Sequence, residues 1–129
     1  MAFSPFKRAG DTSDATIDYG VSAKFSEAEI KMAVDAVLIK FKDFKECSLM
    51  KLWYDEMKSD LFAETYMLYG LGAVNGVKRE NVVILFSEFY VGNRACVSLG
   101  RNSVIAHPWH WTLIRESETC EWVVDGWGY

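Results

Sequence analysis

Asn81 to Val91, NVVILFSEFYV, is the stretch that most limits how this chain can fold. β-branched and aromatic residues dominate it, which is the composition of a strand. Val82, Ile84, Phe86, Glu88 and Tyr90 fall on one face, and both faces are mostly apolar. The chain has 129 residues, the length of one domain. Aromatic residues make up 15% of it, and each can bury on the order of 150–250 Å², so material for a core is ample.

The clearest local signal lies upstream. Phe25 is followed by Ser26-Glu27-Ala28-Glu29, a capping box in which Ser26 and Glu29 satisfy each other's amides. Phe25 before the cap and Ile30 after it fit a hydrophobic staple. Ile30, Val34, Val37, Leu38, Phe41 and Phe44 then recur at helical spacing, with Lys31, Asp35, Lys42 and Lys45 on the other side. This predicts an amphipathic helix of about five turns with one buried stripe. Ser48 to Glu56 alternates as a strand. Met57 to Gly70 reads as a short helix capped by Ser59 or Asp60 and stopped by Gly70, although TYMLY also permits a strand. Asn75-Gly76 is a turn dipeptide, and the spacing of Gly70, Gly72 and Gly76 matches no phosphate-binding loop.

Two further strands are expected near the end. Trp109, Trp111, Leu113 and Arg115 alternate with His110, Thr112, Ile114 and Glu116. A polar turn at Ser117 to Thr119 leads into CEWVVDGWGY, predicting a C-terminal hairpin whose second arm is a core strand rather than a fraying tail. Gly126 and Gly128 would let the backbone bulge beside Trp127.

The net charge of −4 argues against nucleic acid as a partner. No stretch is long and apolar enough for a membrane span, and no secretory signal is present. Cys47, Cys96 and Cys120 are too few and too scattered for a disulfide framework or a zinc site; they read as buried or incidental thiols. His107 and His110, three apart on a strand, face opposite sides and do not chelate one metal from regular geometry, unless Pro108 makes a turn there.

The order of elements predicts an α+β domain. A long N-terminal helix packs on a curved antiparallel sheet of about four strands, in two layers. Residues 1–24 form an extended lead-in, and residues 25–129 form the domain. Phe3, Phe6, Ile17 and Tyr19 could pin the lead-in down.

The segments CSLMKLWYDE, VNGVKRENVVILFSEFYV and WHWTLIRESETCEWVVDGWGY carry a resemblance. Cys47 before a Leu-rich strand, Trp53-Tyr54-Asp55, Asn81-Val82 and the closing Trp127-Gly128-Tyr129 resemble a bacterial family of unknown function. That family has a nuclear transport factor 2-like, or cystatin-like, cone fold. The resemblance spans roughly residues 26–129 and is nearly silent on activity. It implies a secreted or lipid-anchored protein of Gram-positive bacteria, although this sequence carries neither signal nor lipobox.

Cone folds of this type can hold a pocket between helix and sheet, and some relatives use it for acid–base chemistry. Tyr54, Asp55, Glu88, His110 and Asp125 are the polar groups available here. Glu88 interrupts an apolar strand, where an isolated buried carboxylate would be costly; alternatively it faces solvent or pairs with a Lys or Arg. Tyr54, Tyr66, Trp109, Trp111 and Trp122 would suit a ligand wall, with core packing as the competing reading. The candidate pocket is therefore Tyr54, Tyr66, Glu88, Trp109, His110, Trp111 and Trp122, with no catalytic set, metal or cofactor assigned. The expected function is a non-catalytic binding or interaction domain for a small apolar ligand or a protein partner. The alternatives are a small isomerase or dehydratase and a structural homo-oligomer, such as a homodimer.

Overall fold

The computed structural model of the protein describes residues 9–91 and 109–128. Its centre is strand β3, Val82–Val91. Every side chain from Val82 to Ser87 is buried. On one side of β3 run β2 (Cys47–Trp53) and β1 (Thr16–Asp18); on the other run β4 (Trp109–Ile114) and β5 (Val123–Gly128). The five strands lie in chain order, antiparallel except for the parallel pair β1–β2.

A helix covers each face of the sheet. Helix α1, Glu27–Phe41, lays Ile30, Ala33, Val34, Val37 and Phe41 against Val83, Leu85 and Phe89 of β3, together with Trp111 and Leu113 of β4. Helix α2, Glu56–Tyr69, sets Ala63 and the half-buried Tyr66 and Met67 against Val82, Ile84 and Phe86. Successive strand residues point to opposite faces. The domain is thus α+β, but in three layers with five strands rather than two layers with about four. The reason lies in β3. Covering one face alone would leave Val82, Ile84 and Phe86 in water.

The predicted capping box closes α1: Ser26 Oγ accepts the Glu29 amide at 3.1 Å, and Glu29 Oε1 accepts the Ser26 amide at 2.8 Å. The helix is shorter than the five turns expected, because the Phe44 amide donates to the Phe41 carbonyl at 2.9 Å and Glu46 adopts φ 63°. Phe44 still joins the same core, with its ring 5.1 Å from Trp111. Helix α2 is no short helix: its 14 residues nearly match the 15 of α1, and Asp55 is its cap, accepting the Lys58 amide at 3.3 Å. Ser59 lies inside the helix. Strand β2 ends at Trp53, opposite Phe86, and Ser59 Oγ accepts the amide of Ile84 at 3.0 Å. A short helix α3, Gly72–Asn75, ends at the left-handed Gly76, and a 3-10 turn at Arg79–Asn81 leads into β3.

Strand β1 comes from the segment read as a lead-in. Its Thr16, Ile17 and Asp18 pair with Lys51, Leu52 and Trp53, and the Leu49 amide donates to the Asp11 carbonyl at 2.7 Å. Ile17 and Tyr19 pack on the α1 side of the core; Phe3 and Phe6 lie outside the described residues. The chain can approach this closely because Gly10 and Gly20 carry no Cβ. One added at Gly10 would meet the Phe41 carbonyl oxygen at 1.9 Å, and Gly20 has φ +64°.

The closing segment is a strand, but an edge strand of the sheet and not the core strand expected: none of its residues is fully buried, and Trp127 is 44% exposed. Trp127 pairs with Trp111 across the hairpin and leans on Phe44 at 5.6 Å. The register shifts by one residue at Asp125, making it the extra residue of a β-bulge. Trp122 precedes the strand instead of belonging to it, and is buried against α1. Deleting Asp125 to Tyr129 removes the strand half opposite His110–Thr112 and uncovers Trp111. The melting temperature should fall by at least roughly 10 °C; an unchanged value would mean that β5 does not support the core.

Candidate functional site

Arg115 follows β4 in the same phase as Trp111 and Leu113, so its side chain enters the α1 side of the sheet. It is only 6% exposed. A buried guanidinium needs partners. Nη1 donates to Glu29 Oε2 at 2.6 Å, Nε to Asn81 Oδ1 at 3.2 Å, and Nη2 to the Glu80 carbonyl at 3.5 Å. The cation also lies 4.4 Å from the centre of the Trp122 ring. Trp122 in turn donates from Nε1 to the Glu29 carbonyl at 3.1 Å. The Ser26 amide, and then Arg115, hold the Glu29 carboxyl below its usual range, with partial burial opposing them.

Two depressions meet at this residue. A groove of about 950 Å³ runs between residues 75–81 and residues 114–123. A hollow of about 550 Å³ is bounded by Lys24, Phe25, Glu29, Arg79 and Arg115. Glu80, Arg115 and Glu118 border both. Val77, Ile114 and Val123 contribute apolar surface to the groove, and Lys78, Glu116 and Glu121 contribute charge. With its nitrogens bonded to Glu29, Asn81 and Glu80, Arg115 ties the walls together. The sequence reading placed Arg115 in the alternation of β4 but gave it no role. The available signal was a cation in the inward phase of a Trp- and Leu-bearing strand.

The seven candidate pocket residues divide between the two faces of the sheet. Tyr54, Trp109, Trp111 and Trp122 belong to the α1 side. There Trp109 and Trp111 pack into the core: Trp109 lies 5.4 Å from Phe89, and Trp111 donates from Nε1 to Ser87 Oγ at 2.8 Å. Tyr66, Glu88 and His110 belong to the α2 side by strand phase and packing. His110 sits 5.1 Å from the Phe62 ring, and Glu88 is half-buried opposite Lys51. No single cavity gathers these seven. His107 and Cys96 lie outside the described residues. Among the described residues, no group of three or more His, Cys, Asp or Glu is placed to hold a metal ion, and no helix is long and apolar enough to cross a membrane.

Two tyrosines do meet carboxylates. Tyr66 donates to Asp125 Oδ2 at 2.6 Å and accepts from Asn75 Nδ2 at 2.8 Å. The bulge turns Asp125 toward α2. Burial first, then Asp125, pushes the Tyr66 phenol up to about 12. Tyr54 donates to Glu56 Oε1 at 3.0 Å, and burial first, then Glu56, pushes it to about 12 as well. Glu56 also accepts from the Ser22 hydroxyl and, at 3.1 Å, from the Ala23 amide. Those two bonds, the hydroxyl first, hold it down at about 2. This cluster fastens residues 22–24 to the start of α2, and Lys24 with Asp60 at 2.9 Å reinforces it.

A scan against protein-family models, a search of curated proteins and a search of solved structures each found no match to this chain.

Two sets of variants test the energetics. Glu29→Gln should cost about 2–3 kcal/mol in urea unfolding, below the roughly 3–5 of a fully buried broken pair because Glu29 keeps 29% of its side-chain exposure. Adding Arg115→Met should restore part of the loss, since replacing a whole pair is often near neutral. The two phenols have folded values raised from 10.0 to about 12. Their contribution is fully present below pH 10.0 and is lost as pH rises through about 12. A Tyr54→Phe, Tyr66→Phe protein should show a flatter fall in stability over that window. Glu56 works in the opposite sense: its contribution is present above pH 4.5 and is lost as pH falls toward about 2. Glu56→Gln should flatten the acid limb, and an unchanged limb would remove Glu56 from this role.

Proposed function

We propose that this chain is a non-catalytic interaction domain and that the outward face of α2 and α3 is the surface it presents. One observation carries the reading. Helix α2 turns Ser59 and Ala63 toward the sheet, while Met57, Leu61 and Leu68 are 77%, 62% and 60% exposed. At 3.6 residues per turn these three fall within about 40° of one another, on the side opposite the buried residues. Tyr69 at the end of α2, Leu71 after it and Val74 in α3 are exposed as well. Scattered apolar side chains on a surface need no explanation, but an aligned stripe marks a contact. Both faces of the sheet already have a helix, so this stripe is surplus to the core.

The resemblance to a family without assigned activity supports the same reading. It also supports a finer description of the fold, in which α1 and strands β2 to β5 form a cystatin-like, nuclear transport factor 2-like cone and α2 is an addition on the opposite face. A small apolar ligand is the weaker choice of partner, because the rings proposed to line its pocket lie on both faces of the sheet, and Trp109 and Trp111 pack against Phe44 and Phe89 of the core. The acid–base alternative has the Tyr66–Asp125 pair behind Asn75 in the groove wall. Burial and Asp125 raise the Tyr66 phenol, so near neutral pH it keeps its proton and is a hydrogen-bond donor rather than a base.

The test is site-specific photo-cross-linking in the native cells. A photoreactive residue at position 61 should give a discrete adduct that one at the exposed Ile39 of α1 does not. Absence of any adduct at 61, or equal adducts at both positions, would count against this face.

A further inference from the structure

Beyond that reading, we infer that the groove between residues 75–81 and 114–123 is a second binding surface, and that it takes an extended peptide segment in which lysine or arginine alternates with aliphatic residues. The floor is the first support. Ile114 and Val123 lie opposite each other across β4 and β5, so their side chains share a face, and Ile114 packs with the α2 layer. Helix α2 covers Val82, Ile84 and Phe86 but leaves Val123 59% exposed. Val77 adds apolar surface from the other wall. The volume of about 950 Å³ falls within the roughly 300–1,000 Å³ of ligand sites.

Charge is the second support, and it selects the occupant. Glu80, Glu116, Glu118 and Glu121 stand along the groove, all of them exposed. Among the described residues none of these carboxylates has an ion-pair partner. Against them stand Lys78 and Arg115, and Arg115 is already committed to Glu29 at 2.6 Å. The groove is therefore negative. It draws in cations and repels acidic chains, including a second copy of this chain with its net charge of −4. The carboxylates are also spread out: among the described residues no three His, Cys, Asp or Glu come together to hold a metal ion. Dispersed carboxylates over an apolar floor fit separate side-chain cations with aliphatic groups between them, not a single ion. In an extended chain successive side chains alternate in direction, so the aliphatic ones meet the floor while long cationic stems bend to the rim.

Preorganisation is the third support. The Arg115 amide donates to the Asn81 carbonyl at 3.0 Å, and Asn81 Nδ2 donates to the Glu116 carbonyl at 3.4 Å, so the two walls are bonded to each other. The turn that carries Glu118 is closed by the Cys120 amide on the Ser117 carbonyl at 3.0 Å. Walls held in place before a ligand arrives need little ordering when it binds.

The experiment is fluorescence anisotropy on the full chain with a labelled peptide of alternating lysine and leucine. An all-lysine peptide and an alternating glutamate–leucine peptide of the same length are the comparisons. The lysine–leucine peptide should bind most tightly, and each of the others roughly 10-fold or more weakly, one for want of apolar contact and the other through repulsion. The double variant Glu118→Lys, Glu121→Lys should weaken that binding by roughly 10-fold or more. The double variant Asp35→Lys, Glu64→Lys makes the same change in net charge away from the groove and should leave binding within about twofold. All four positions are exposed, so both proteins should fold, and circular dichroism checks that they do. Binding undiminished by the groove variant, or diminished equally by the control, would overturn the assignment to the groove. Equal binding of the all-lysine peptide would overturn the aliphatic half of the specificity. A wild-type protein that binds none of the three peptides would overturn the site itself.

Discussion

The double-sided burial of β3 governs the rest of the structure. From Val82 to Ser87 no side chain reaches water, so each face needs its own cover. Helix α1 provides one cover and helix α2 the other. The neighbouring strands inherit the same demand. Trp111 and Leu113 of β4 belong to the α1 layer, and Ile114 packs with the α2 layer. Even Ser59, a polar residue within α2, is explained by β3, since it accepts an amide that β2 has stopped too early to meet.

Arg115 stands next in importance because it joins regions that secondary structure alone does not connect. Its guanidinium links the first turn of α1, the turn before β3 and the end of β4. Glu29 serves the helix cap and this ion pair with different oxygens. A buried pair of this kind is weak evidence for net stability but strong evidence that its members are interdependent. The groove and the hollow described above meet at that junction. A second junction holds the opposite layer, where the bulge at Asp125 brings a carboxylate to Tyr66 and through it to Asn75.

Several elements were legible because their signals are local. The capping box at Ser26 and Glu29, the strand at Cys47–Trp53 and the hairpin of β4 and β5 each depend on residues within a few positions. Others were not legible, for identifiable reasons. Strand β1 has three residues with no alternation to read, and it forms because Gly10 and Gly20 allow close approach. Helix α2 looked like a short helix because its apolar residues occupy two sides, one for the sheet and one for solvent. The candidate pocket gathered aromatic residues by type, whereas strand phase sends Trp111 and His110 to opposite faces.

The sequence by itself determined the class of the domain, the start of α1 and the strand character of β2 to β5. Short-range hydrogen bonding and side-chain period dictate these, and both are written in neighbouring residues. Only the tertiary structure decided that both faces are covered, that Arg115 finds Glu29 at a separation of 86 residues, that Tyr66 finds Asp125 at a separation of 59, and that one stripe of α2 is left over. Those outcomes depend on which surfaces the packed layers bring together, and partners so far apart in sequence leave no mark in the local pattern.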